Sequence, residues 1–239
     1  MNLVIIPTYN EKENIADILI CVMQLEGQFH ALVIDDASPD GTAGIVKNLQ
    51  ICYPDRIHLL ERSGKLGLGT AYLTGFKWAL ENGYDYVFEM DADFSHNPED
   101  LIRLWKACEE EGADLSIGSR YSNGISVVDW PIGRILISYG ASLYVRGVLG
   151  MKVFDTTAGF VCYSRKVLET LDLDAVKMKG YGFQIEMKYS AWKLGFKLKE
   201  VPIVFTNRQK GTSKMSSGIF GEAFWGVINL RFRKIRPKA

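Results

Sequence analysis

The sequence predicts an α/β fold with a mostly parallel central sheet and helices on both faces, and three observations carry that prediction. Short apolar runs of strand length alternate with segments whose apolar residues recur at helical spacing. Strand followed by helix, repeated along the chain, implies right-handed crossovers between parallel strands and so a sheet covered on both faces. The chain has 239 residues, 47% of them hydrophobic and 23% charged, which is enough to bury a proper core.

The elements follow in order. LVIIP, residues 3–7, is the first strand. A helix follows in residues 10–24, with Asn10 as its expected N-cap and Glu13 three residues on, the arrangement of a capping box. ALVIDD, residues 31–36, is the second strand, then come the turn residues ASPDGT and a helix carrying Ile45, Val46 and Leu49. IHLLE is the third strand, and RSGKLGLGT a glycine-bearing loop. Tyr72, Phe76, Ala79 and Leu80 stand at i, i+4, i+7 and i+8, one stripe of a helix. DYVFEM opens the fourth strand at Asp85. After it Asn97 can cap, Pro98 suits a first helical turn, and Glu99 and Asp100 suit the positive end of the helix dipole. Leu101, Leu104, Trp105 and Cys108 then face the core, and DLSIG is a fifth strand. Beyond Tyr121 the rhythm loosens. Residues 134–150 read as an unusually apolar helix, TTAGFVCYS as a strand and residues 183–194 as a helix. KLKEVPIVF is an edge strand, because Pro202 cannot donate to a ladder. No repeat or linker divides the chain. One catalytic domain over residues 1–215, with an extension at 216–239, is the economical division.

Composition narrows the function. A formal net charge of zero removes any bulk attraction to nucleic acid. Cys21, Cys52, Cys108 and Cys162 are scattered and form no C-x-x-C pair, which points to core thiols in a reducing cytoplasm. No run of eighteen apolar residues suggests a membrane span, and the N-terminus reads as a strand rather than a signal peptide. Neither G-x-G-x-x-G, nor a P-loop, nor a G-x-S-x-G elbow is present.

What the sequence does offer is acid at the carboxyl ends of strands, where ligands of parallel sheets bind. Asp91 and Asp93 close an otherwise apolar strand; at i and i+2 of an extended chain they point the same way. Two such carboxylates raise one another's pKa unless a cation lies between them, and hard oxygens suit Mg²⁺ or Mn²⁺ with a substrate diphosphate. The plainer reading is a pair of capping or solvated loop acids. Asp35 and Asp36 face opposite ways, so one is expected to enter the site and the other to cap the SPDGT turn. Arg120, Arg208 and Lys214 follow strand-like segments in polar, small-residue contexts where a cation can bind phosphate, or can equally be a solvated loop charge. His96 beside the acidic pair has no metal-ligand spacing.

Seven ordered segments, IPTYNEKENI, VIDDASPDGTA, RSGKLGLGTAY, EMDADFSHNPEDL, GSRY, GYGFQIEM and FTNRQKGTSKM, resemble glycosyltransferase family 2, and within it the dolichol- or polyprenol-phosphate mannosyltransferases. They cover residues 4 to about 215. The resemblance implies a GT-A fold that uses GDP-mannose with a divalent ion, Mg²⁺ or Mn²⁺, at the acidic motif. Pro7, Tyr9, Glu11, Val33 and Asp35 match positions that hold the nucleotide. Asp91, Ala92 and Asp93 match the metal and diphosphate motif, with Asp91 and Asp93 as ligands. Arg120, Arg208 and Lys214 match phosphate-contacting positions, and Asp93, Arg120 and Arg208 are the expected catalytic set. The implied reaction is inverting transfer of mannose to a polyprenyl or dolichyl monophosphate. That acceptor is already anionic and needs no general base, unlike a sugar hydroxyl. The chain also lacks the Q-x-x-R-W motif of polysaccharide synthases. It departs from relatives at Val161, where they often carry Arg, and at Phe94 after the acidic motif.

The extension holds Ile219, Phe220, Phe224, Trp225 and Ile228, then RFRKIRPKA with five basic residues and no acid. This is either an interfacial anchor on a membrane's cytoplasmic face or a helix docked on its own domain. Two other functions stay open. One is a family 2 enzyme with another donor such as UDP-glucose or another acceptor; the other is a non-catalytic nucleotide-binding membrane adaptor.

Overall fold

Seven strands form one mixed sheet in the computed structural model of the chain, which describes residues 1–208 and 219–238. In chain order the elements are β1 (Asn2–Thr8), α1 (Ile15–Gln24), β2 (Phe29–Asp35), α2 (Thr42–Cys52), β3 (Ile57–Glu61), α3 (Leu68–Glu81), β4 (Tyr86–Glu89) and α4 (Asp100–Glu109). Then come β5 (Leu115–Ser119), β6 (Val127–Val128), α5 (Ile132–Leu149), β7 (Val161–Ser164), α6 (Arg165–Thr170), a 3₁₀ turn at Leu173–Ala175, α7 (Gly180–Lys193), β8 (Leu198–Pro202), β9 (Phe205–Thr206) and α8 (Ile219–Phe232). The order across the sheet is β3-β2-β1-β4-β7-β5-β8. Every pairing is parallel except those of β7, which runs against both β4 and β5. β8 lies at the edge, as Pro202 requires. The short β6 and β9 pair separately.

Alternation along the strands divides the core into two layers. Leu3, Ile5, Leu32, Ile34 and Val87 pack under α3 and α7 against Tyr72, Phe76, Phe183 and Met187. Val4, Ile6, Val33 and Phe88 face the other way, onto Ile18 and Leu19 of α1 and Leu101 and Leu104 of α4. Helix α3 lies so close to the sheet that a Cβ at Gly75 would come within 2.7 Å of Ile5 Cδ1, so only glycine fits there.

One expected boundary moves. Asn10 does not cap a helix: its φ is 56°, and α1 begins at Ile15 with Asn14 before it and no side-chain cap. The donors at residues 10–12 point elsewhere. The N–H groups of Asn10, Glu11 and Lys12 donate to Ser38 Oγ, Thr42 Oγ1 and Asp40 Oδ2. That stitching of the β1 end to the β2–α2 turn outweighs the capping box. At α4 the expectation fares better, since Asn97 Oδ1 accepts the Glu99 N–H at 3.1 Å.

Far from the strand ends described below, Tyr84 Oη bridges His30 Nδ1 at 2.9 Å and His58 Nε2 at 3.3 Å. Burial holds both imidazoles below their ordinary pKa, and for His30 the neighbouring His58 adds to it. The folded state therefore binds fewer protons than the unfolded chain just below pH 6.5, so this contribution to stability is complete above that value. It is lost as pH falls through the lowered folded-state values. Thermal melts from pH 7.5 to 5 should therefore show the melting temperature of His58→Gln rising relative to that of the wild type as pH falls, since the variant no longer carries this loss at residue 58.

Candidate active site

The winding of the sheet reverses between β1 and β4: the chain proceeds outward through β2 and β3, then crosses back to the other side of β1. The crevice at such a switch point, outside the carboxyl ends, is where an open α/β sheet binds ligands. Thr8 and Tyr9 leave β1 there, Asp35 closes β2, and Asp91 and Asp93 follow β4. Three non-glycine residues with left-handed backbone, Asn10 (φ 56°), Ala37 (φ 55°) and Phe94 (φ 59°), sit in these same three loops. Strain of this kind persists where the surroundings over-determine it, and it clusters at functional sites.

Asp91 and Asp93 lie close enough for one carboxylate to feel the other's charge. Asp93 is buried; its Oδ1 accepts the Ser95 N–H at 3.0 Å and its Oδ2 lies 2.7 Å from Arg208 Nη2. Arg208 Nη1 is 3.9 Å from Glu11 Oε1, so this guanidinium links the β1 and β4 loops. Burial first, and the Asp93 charge second, push the Asp91 carboxyl up to about 7 against the pull of Arg208. A carboxylate pair in that state favours any cation that enters. Among the described residues no three His, Cys, Asp or Glu side chains gather into a metal cluster. Two carboxylates nevertheless fit an ion that takes its remaining ligands from phosphate and water. His96 is a neutral packing ring: it stacks on Phe160 at 4.7 Å, and burial lowers its pKa to about 4.

The other expected residues are placed as follows. The Asp35 carboxylate accepts hydrogen bonds from Thr8 Oγ1 at 2.8 Å, Ser38 N at 2.8 Å and Ser38 Oγ at 2.6 Å, so this residue fixes the turn. Asp36 instead holds Arg62 Nε at 2.5 Å. Tyr9, half-buried at the crevice, has Lys65 Nζ 5.1 Å from its ring centroid. Pro7 and Ala92 line the strand ends, whereas the Val33 side chain lies wholly inside the core. Lys214 lies outside the described residues. Val161, the departure noted above, is a buried core residue of β7.

Arg120 is buried and heavily committed. Its Nε and Nη2 donate to the two oxygens of Asp155 at 2.7 and 2.6 Å, and Nη2 also reaches Thr157 Oγ1 at 2.9 Å. The rings of Tyr121, Trp130 and Phe205 surround it at 5.1 to 5.6 Å. Glu200 secures the clamp from behind, accepting the backbone N–H groups of Phe154 and Asp155 and the Ser119 hydroxyl. Sequence reasoning missed Asp155 and Glu200, which follow no strand-end pattern. It also missed Arg134, whose guanidinium stacks 3.9 Å over the Trp130 ring and donates to Asn207 Oδ1. Beneath the acidic pair, burial raises the Glu89 carboxyl to about 8 and lowers the Lys188 ammonium to about 8, each opposed by the other's charge.

Helix α8 packs on the domain through buried Val227 and Leu230, while Phe224 and Trp225 remain exposed. It crosses α5, where Tyr144 stacks on Phe224 at 4.7 Å. The outward face of α5 is itself apolar: Ile132, Leu136, Ile137 and Leu143 are all exposed. Among the described residues no helix is long and apolar enough to cross a membrane.

Comparison with known proteins matches residues 3–172 to the family Glycosyl transferase family 2. A polyprenol monophosphomannose synthase of Mycolicibacterium smegmatis is 50% identical over 230 residues, 94% of this chain and 86% of its own. An undecaprenyl-phosphate mannosyltransferase of Micrococcus luteus is 47% identical over 228 residues, 95% of this chain and 91% of its own. Among solved structures, glucosyl-3-phosphoglycerate synthase from Mycobacterium tuberculosis, in complex with Mn²⁺, UDP and phosphoglyceric acid, superposes with a TM-score of 0.68. That match covers 95% of this chain and 78% of the other at 17% identity, a likeness of fold.

Proposed function

The chain belongs to glycosyl transferase family 2, and from that premise we propose that it moves mannose from GDP-mannose onto the phosphate of a polyprenyl phosphate, with inversion. The single observation that carries this reading is the convergence of Asp91, Asp93, Glu11 and Arg208 at the switch point, in a chain half identical to a polyprenol monophosphomannose synthase. In the reaction an acceptor phosphate oxygen forms a bond to the anomeric carbon as the bond to GDP breaks. The electron pair leaves with the diphosphate. No proton need be removed from an acceptor that is already an anion.

The residues divide that work. Asp91 and Asp93 would hold a divalent ion, Mg²⁺ or Mn²⁺, which supplies Lewis-acid stabilisation of the departing diphosphate. Arg208, already against Asp93, adds positive charge where the leaving group gains negative charge. Arg120 presents a guanidinium fixed before substrate arrives, because Asp155 and the aromatic box hold it. Tyr9 at the crevice offers a ring to the nucleotide, and Asp35 keeps the adjoining turn in place.

Purified protein should transfer labelled mannose from GDP-mannose into a lipid fraction when given polyprenyl phosphate and Mn²⁺, and chelation should abolish this. Transfer from UDP-glucose alone would reject the donor, and binding of GDP without any transfer would favour an adaptor.

A lipid-borne acceptor requires the site to meet a bilayer, and α5 with α8 forms the face that does so on this reading. Exposed Ile132, Leu136, Leu143, Phe224 and Trp225 give an apolar surface, with Lys234, Arg236 and Lys238 following it for anionic headgroups. Removing α8 would also strip Val227 and Leu230 from the core, so point changes are the cleaner test. Leu136→Glu with Trp225→Glu should weaken partitioning onto anionic liposomes by roughly tenfold or more while leaving GDP affinity unchanged. Unaltered partitioning would rule this face out.

A further inference from the structure

A lysine that is wholly out of water is rare, and Lys188 is one. All three of its ammonium donors are engaged: with Ala158 O at 2.6 Å, Gln184 O at 3.2 Å and Gln184 Oε1 at 3.1 Å. The Gln184 amide then donates from Nε2 to Glu89 Oε2 at 2.6 Å. Glutamine is the residue for this place because one end accepts from an ammonium while the other donates to a carboxylate. Glu89 and Gln184 are also buried, on the layer where α7 covers the sheet.

The array joins three pieces of the site. Glu89 is the last residue of β4, two before Asp91 and on its side of the strand. Gln184 and Lys188 lie one turn apart on α7. Ala158 belongs to the segment whose Asp155 and Thr157 hold Arg120. One continuous set of hydrogen bonds therefore runs from the anionic side of the crevice to the clamp on its cationic side. Stability alone does not call for charge here. Tyr163 Oη also donates to Glu89 Oε1 at 3.5 Å, while Val87, Phe183 and Met187 belong to the apolar layer on this side of the sheet, and well-packed apolar groups commonly replace a buried ion pair without loss.

We propose that Glu89, Gln184 and Lys188 are positioning residues for sugar transfer, fixing the acidic strand end of β4 against the Arg120 clamp. This inference rests on the transfer reaction proposed above. The array touches no substrate; it sets the distance between groups that do, and a misplacement of about 1 Å in such a site costs on the order of 100-fold in rate.

The test replaces the three side chains together with apolar groups of similar volume, Glu89→Leu, Gln184→Leu and Lys188→Met. Transfer is assayed with GDP-mannose, polyprenyl phosphate and Mn²⁺, alongside thermal melting. The expected result is a melting temperature within a few degrees of the wild type, a donor KM changed less than about threefold and a kcat lower by about 100-fold. A kcat within twofold of the wild type would make the array ordinary packing and overturn the proposal. If the triple variant does not fold, Gln184→Met alone, which keeps Glu89 and Lys188, decides in the same way: kcat must fall at nearly constant KM. Wild-type protein that transfers nothing overturns the reaction itself and this inference with it, a different outcome from an active wild type and an equally active variant.

Discussion

Asp93→Asn should lower mannosyl transfer by roughly 10²–10³-fold with the fold intact. The substitution keeps the shape and the acceptor for the Ser95 N–H, so the loop after β4 retains its local bond. What it removes is the charge facing Arg208 at 2.7 Å and half of the carboxylate pair. Arg208 is partly solvated and keeps Glu11 within reach, so the lost ion pair costs little stability. Asp91 loses the like charge that helps raise its pKa and moves back toward the ordinary carboxylate range. The binding that remains is weaker for a divalent ion, and Mn²⁺ titration in the presence of GDP, followed by electron paramagnetic resonance, should show that directly. Activity within tenfold of the wild type, with Mn²⁺ binding unchanged, would remove Asp93 from the site.

Much of this architecture was legible in the sequence because each strand states its own environment. Residues 3–7 and 31–34 are apolar on both sides and pair in parallel within the sheet, whereas His58 and Glu61 mark residues 57–61 as the half-exposed edge strand. The reversal of β7 was not legible, since an antiparallel strand inserted between β4 and β5 reads locally like any other. Asn10 misled for a related reason: a capping box is a local signal, and the bonds to Ser38, Asp40 and Thr42 that displace it come from the next crossover. In the site, Asp91 and Asp93 stood out because charge after an apolar strand is conspicuous. Asp155, Gln184 and Lys188 did not, because their meaning lies in partners roughly 30 or more residues away. Val33 shows the converse limit. It matches a ligand-binding position by motif, yet strand alternation turns its side chain into the core.

The largest stability effect is expected from Asp155→Ala. Asp155 is wholly buried and takes both oxygens of its carboxylate to Arg120, which is itself almost out of water. Removing one partner leaves a buried guanidinium without countercharge, a change that costs about 3–5 kcal/mol. For a chain of this length that corresponds to a fall in melting temperature on the order of 10 °C. The aromatic box of Tyr121, Trp130 and Phe205 recovers only a part, since cation–π contacts are worth about 0.5–2 kcal/mol each. Exposed ion pairs such as Lys47–Glu61 give the contrast: Glu61→Ala should leave the melting temperature nearly unmoved. The double variant Arg120→Met with Asp155→Leu separates stability from function. It removes both charges and fills the space, so most of the lost stability should return while transfer stays abolished for want of the Arg120 cation. Recovery of transfer along with stability would show that Arg120 matters only as half of a structural pair.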